Sequence, residues 1–189
     1  DDATLVIVGT GDDVRRIRES ADRVNDEVGR EAVRLVGPMA DPRPAYAAAD
    51  IMLGMGGSAA RALAFGKPLV VQGEAGWSQL FEQSTAESLA RNSYWSPDEV
   101  DRPVDRIVAI IAPLLTDAQR RTELGAFGRA FAVERFGLTA MASRLAVFYQ
   151  EALSAYGLRN WSADLPPELG IFARKVGRRA GLPLRDGEK

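Results

Sequence analysis

Gly54, Met55, Gly56, Gly57 and Ser58 lie between a short apolar run and a helical stretch, and their types suit the binding of an anion. Glycines let a backbone fold close around a ligand, and the start of a helix presents free N–H groups at the positive end of its dipole. A pyrophosphate fits that chemistry. Ser58 is expected to cap a helix reaching Phe65, where Gly66 supplies a left-handed exit and Pro68 stops the helix before the apolar run 69–71. Other chemistries are excluded by composition. The 189 residues contain no histidine and no cysteine, so zinc sites built from them, cysteine nucleophiles, Ser-His-Asp triads and histidine bases are absent from this sequence.

The elements that must position the glycine loop alternate strand and helix. Residues 5–8 are a continuous apolar run ended by Gly9-Thr10-Gly11, the pattern of a buried parallel strand and a tight turn. The position three after Gly11 is Val14, so the third glycine of a dinucleotide fingerprint is missing and the turn reads as a plain strand-to-helix connection. Asp12 and Asp13 open a helix with Val14, Ile17, Ala21, Val24 and Val28 at helical spacing. Residues 32–36 form the next strand, 43–49 a short helix and 51–53 the strand that enters the loop. Beyond Val71 come a second loop, 72–76, an apolar patch at Trp77, Leu80 and Phe81, and a helix over 84–90. Residues 92–98 read as a loop with room for one short strand at Tyr94 and Trp95. Helices are expected at 104–115, 117–131 and 138–156. The alternation predicts an α/β fold, a Rossmann-like doubly wound parallel sheet with helices on both faces.

Gly54, Gly56, Ala62, Leu63, Ala64, Gly66, Pro68, Val70 and Val71 fall on a frame that resembles the donor-binding signature of retaining GT-B glycosyltransferases of the group 1, or family 4, type. The likeness continues in order through 5–11, 33–38, 46–50 and the closing helices up to Leu153. It implies one half of a GT-B fold, whose N-terminal acceptor domain lies outside this sequence. It also implies a nucleoside diphosphate sugar as donor substrate, with no further cofactor and no metal. Under the resemblance Gly37 and Pro38 lie near the base, while Gly54, Met55, Gly56, Gly57 and Ser58 line the sugar and pyrophosphate. Both acidic positions of the signature depart from it: Leu53 and Arg61 stand where glutamates are expected. The second glutamate normally binds the ribose hydroxyls, and Arg61 has only donors to offer. Arg61 is then either a cation for phosphate or a helix-surface residue. Glu74, after the next strand, either supplies the missing acceptor or is simply solvated. No catalytic residue is assigned.

The expected function is therefore donor binding for sugar transfer to an unknown acceptor. The alternative is a noncatalytic α/β interaction module of glycosyltransferase descent, and an epimerase of the same fold is disfavoured by the lack of histidine. Hydrophobic residues make up 46% and charged residues 26%, with a net charge of −2, an ordinary globular composition with no footprint for nucleic acid. The lack of cysteine fits a cytoplasmic protein. The abrupt entry into a strand after Asp1-Asp2-Ala3-Thr4 suggests a domain of a longer protein. Residues 1–157 are expected to be the nucleotide-sugar-binding domain and 158–189 a basic helical extension, with seven basic residues against four acidic ones. Pro166-Pro167 marks a helix start there. The extension fits a helix packed on the main domain with a solvated basic face, or a peripheral contact with an anionic membrane surface.

Overall fold

Apolar runs that end in glycine become strands, and the amphipathic stretches between them become helices. The computed structural model describes residues 3–155 and 157–179. Strand β1 (Leu5–Val8) runs through helix α1 (Val14–Val28) into β2 (Val33–Gly37), its parallel partner. Asn25 ties that helix to the second strand: its Oδ1 accepts the Val33 N–H at 2.8 Å and its Nδ2 donates to the Val33 carbonyl at 2.9 Å. Gly29, at φ 67°, gives α1 its left-handed exit. Helix α2 (Arg43–Ala48) leads to β3 (Met52–Gly54), and helix α3 (Gly56–Ala64) connects β3 to its parallel partner β4 (Leu69–Gln72). The class is the expected α/β. Its strands form two hydrogen-bonded sheets, β1–β2 and β3–β4–β5, because β5 (Ser78–Leu80) turns back antiparallel on β4.

The core sits around β4, whose Leu69, Val70 and Val71 are completely buried. Successive strand residues point to opposite faces, so β4 feeds two apolar layers. Leu69 and Val71 join Ala59, Ala62 and Leu63 of α3, Leu89 of α4 (Ala86–Arg91) and the Phe127 and Phe131 rings of α6 (Ala118–Phe136). On the other face Val70 meets Leu114, Ile110 and Ile111 of α5 (Pro103–Thr116), together with Leu124 of α6. Helices thus cover both faces of this sheet. Asp117 starts α6 by accepting the Arg120 N–H at 2.8 Å. Gly125 lets α6 come down on the end of α3, since a Cβ there would overlap the Gly66 carbonyl oxygen.

Strand β1 is not the buried strand expected from its apolar run, since Leu5, Val6 and Val8 are exposed. Other local expectations also differ from the structure. Tyr94 and Trp95 form no strand: Ser93 and Tyr94 have φ values of 55° and 56°, which an extended chain cannot adopt. Pro166 and Pro167 do not start a helix. They lie inside α8 (Leu158–Arg179), whose first turn is set upstream by the Trp161 N–H donating to the Gly157 carbonyl at 3.0 Å. Each proline removes one donor from the ladder without ending it. With α7 (Leu138–Ala155), α8 belongs to a second compact unit that begins at Leu138. Residues 180–189, the distal part of the basic extension, lie outside the described residues. Among the described residues no helix is long and apolar enough to cross a membrane.

Candidate functional site

The carboxyl ends of the parallel strands carry the glycine loops. Loops 9–11 and 37–38 follow β1 and β2, and the Gly9 N–H donates to the Gly37 carbonyl at 2.9 Å, with Gly37 at φ 74°. Loops 54–58 and 73–76 follow β3 and β4, where the register sets Gly54 opposite Val71. Gly54, Met55, Gly56, Gly57 and Ser58 are therefore brought together, with Glu74 on the adjacent loop at the same end of the sheet. Gly37 and Pro38 belong to the other sheet. Among the described residues no hydrogen bond links them to 54–58.

Helix α3 begins earlier than expected, and this changes the part played by Ser58. Gly56, at φ 55°, turns the chain straight into the helix, so extended Met55 is the cap residue and Ser58 lies within the first turn. The Ser58 hydroxyl accepts the Met55 N–H at 3.2 Å and donates to the Met55 carbonyl at 2.8 Å. Gly54 makes room for that hydroxyl, because a Cβ at 54 would lie 2.7 Å from it. The Gly56 N–H donates to the Tyr94 carbonyl at 3.1 Å. The Gly57 N–H is left exposed and without an acceptor among the described residues, and a Cβ at 57 would meet nothing within 4 Å. Free N–H groups at the start of a helix suit an anion electrostatically.

The two departures from the signature have different surroundings. Leu53 pairs with Val70 and packs in the layer of Leu114 and Leu124, so a carboxylate there would enter an apolar layer. Arg61 and Glu74 are exposed, and their side chains have no ion pair or hydrogen bond among the described residues. Two other cations near the strand ends are engaged, Arg16 with Asp13 at 3.1 Å and Arg43 with Asp41 at 2.7 Å. The hydrogen bonds from Arg16 and Arg43 hold the Asp13 and Asp41 carboxyls below the usual carboxylate range. Among the described residues no cluster of three or more metal-ligating side chains occurs.

Three buried polar atoms escaped sequence reasoning. The Gln72 Nε2 and Ser78 Oγ, on residues that pair across β4 and β5, and the Tyr94 hydroxyl have no hydrogen-bond partner among the described residues. Burial raises the Tyr94 phenol above its ordinary pKa. A cleft of about 640 Å³ runs along the turn that includes Ser93, Trp95 and Asp98, and one of about 390 Å³ is lined by Glu82, Ser84, Arg120 and Glu123. Neither includes a residue of 54–58.

No family model matches the sequence, and no curated protein matches it. Solved structures do resemble it, among them two of one protein. Anabaena Alr3699/HepE in complex with UDP matches with a TM-score of 0.54 at 23% identity, over 82% of this chain and 41% of that one. The same protein in complex with UDP and glucose gives 0.54 at 22% identity, over 81% and 41%. The chain spans about two-fifths of the length of the HepE chain. The likeness shows the fold: α/β and Rossmann-like, one half of a GT-B fold.

Proposed function

We propose that this chain is the donor-binding half of a retaining, family 4 type glycosyltransferase. The enzyme moves a sugar from a nucleoside diphosphate to an acceptor held by a domain outside this sequence. The observation that carries the reading is the unpaired Gly57 N–H at the start of α3, set at the carboxyl end of paired parallel strands. Ligands of open α/β sheets gather at that edge. In the transfer, negative charge grows on the departing nucleoside diphosphate, and fixed N–H donors aimed there lower the barrier. In this reading Gly37 and Pro38 meet the base through main-chain groups, and Gly54, Met55, Gly56, Gly57 and Ser58 surround the sugar and diphosphate. Glu74 accepts from ribose hydroxyls, and Arg61 attracts phosphate. The solved HepE complexes make UDP the first nucleotide to try. The isolated chain binds donor without transferring it.

A second reading, a noncatalytic interaction module, is favoured by Leu53 in its apolar layer and by the absence of a carboxylate at Arg61. Calorimetric titration with UDP, GDP and ADP separates the two. The donor reading expects one nucleotide to bind and Gly57→Asp, which sets a negative charge in open space beside the free N–H, to weaken it by about tenfold or more. Silence toward all three, in this chain and in the longer natural protein, leaves the interaction module.

A further inference from the structure

We infer that the turn at Ser93 and Tyr94 is a positioning device for the glycine loop: it takes up the Gly56 N–H and so fixes the direction of the free Gly57 N–H. The ligand in this inference rests on the nucleotide reading above, whereas the clamp itself rests on geometry. Ser93 and Tyr94 are the only non-glycine residues with positive φ among the described residues. Side chains of L residues disfavour that region, so two in succession must be held by their surroundings.

The surroundings are visible. At the end of α4 the Ser93 N–H donates to the Ala90 carbonyl at 3.2 Å, and the Tyr94 N–H donates to the Leu89 carbonyl at 2.8 Å. Tyr94 is only 4% exposed, and its ring lies 6.1 Å from the Phe81 ring and 6.3 Å from the Phe136 ring. A helix commonly ends on one left-handed residue, most often glycine. The second left-handed residue does something else: it carries the Tyr94 carbonyl out to Gly56, itself at φ 55°. Two successive N–H groups of the loop are thereby held, Met55 by Ser58 and Gly56 by Tyr94. The next one, Gly57, is left for a ligand. Without the clamp the glycine pair would be free to turn, and ordering it would fall on the ligand as lost affinity.

Ser93 is exposed, so it can be changed without opening the core. Ser93→Val places a β-branched side chain where the left-handed region is least tolerated, while Ser93→Gly adopts it freely. Three quantities are measured on the wild type and both variants: Gly56 amide exchange by NMR, UDP affinity by calorimetry, and melting temperature. The clamp expects Ser93→Val to speed Gly56 exchange and weaken UDP by about tenfold, following the cost of left-handed backbone for an L residue. Ser93→Gly restores both. A Ser93→Val chain that melts earlier but binds UDP as the wild type does, or keeps Gly56 protected, overturns the inference. A wild type blind to UDP, GDP and ADP overturns the nucleotide reading instead, and Gly56 exchange then decides the clamp alone.

Discussion

Tyr94 holds its place in the aromatic layer although its hydroxyl is buried without a partner. An unpaired buried hydroxyl forfeits its bonds to water, at about 1–3 kcal/mol. Tyr94→Phe keeps the ring contacts and removes that deficit, so it is expected to raise stability by about 1 kcal/mol in urea melts at neutral pH. The same burial raises the phenol above its ordinary value of 10.0, against a smaller lowering by Arg135. The folded state therefore keeps the proton more tightly than the unfolded one. The sign follows from linkage: this contribution is complete below about pH 10 and is lost as pH rises through the folded value. Wild type should then lose stability above about pH 10 more steeply than Tyr94→Phe, and parallel alkaline curves would remove the effect. Nothing in the sequence around Ser93 and Tyr94 announces a left-handed pair, because the residues that hold it, Phe81 and Phe136, are distant in the chain. The departures at Leu53 and Arg61 were legible at once, since they are side chains on a readable frame.

Between elements, α6 packs on the carboxyl end of α3, the helix that the glycine loop opens. Gly125 faces the Gly66 carbonyl, Gly128 faces Leu63, and Arg129 donates to the Ala64 carbonyl at 2.5 Å. Gly125→Ala sets a methyl group against backbone, which cannot move aside as a flexible side chain can. A loss of about 3 kcal/mol is expected, at the upper end for overpacking. Gly57→Ala, into open space, should be neutral or slightly stabilising, because alanine suits a helix better than glycine. Urea midpoints of the two variants test the contrast, and similar midpoints would refute this account of the interface. Helical periodicity and proline or glycine punctuation made α1, α3, α5 and α7 legible within a few residues, and the start of α6, whose last turn runs on past the expected end to Phe136. Strand β5 was not, because its three residues include Ser78 and Gln79, whose burial and pairing depend on β4. The start of α8 was misread for the opposite reason. A double proline is a strong local signal, and here the helix begins before it.

At the scale of the first compact unit, the two sheets are unequally protected. Leu69, Val70 and Val71 of β4 are sealed, while Leu5, Val6 and Val8 of β1 are 44%, 48% and 37% exposed. A two-stranded sheet covered by little apolar packing opens locally at low cost, whereas strands in the core exchange only by global unfolding. Native-state hydrogen exchange is expected to show the β1–β2 amides opening well below the free energy of the β3–β4 amides. The nucleotide reading adds a consequence, because Gly37 and Pro38 end one sheet and the 54–58 loop borders the other. A ligand that touches both must stabilise both. At about a hundred times its dissociation constant it adds about 2.7 kcal/mol to any opening that abolishes binding. UDP is therefore expected to slow exchange in β1–β2 as well as in β3–β4. Protection confined to β3–β4 would remove Gly37 and Pro38 from the base site while leaving the diphosphate on the glycine loop.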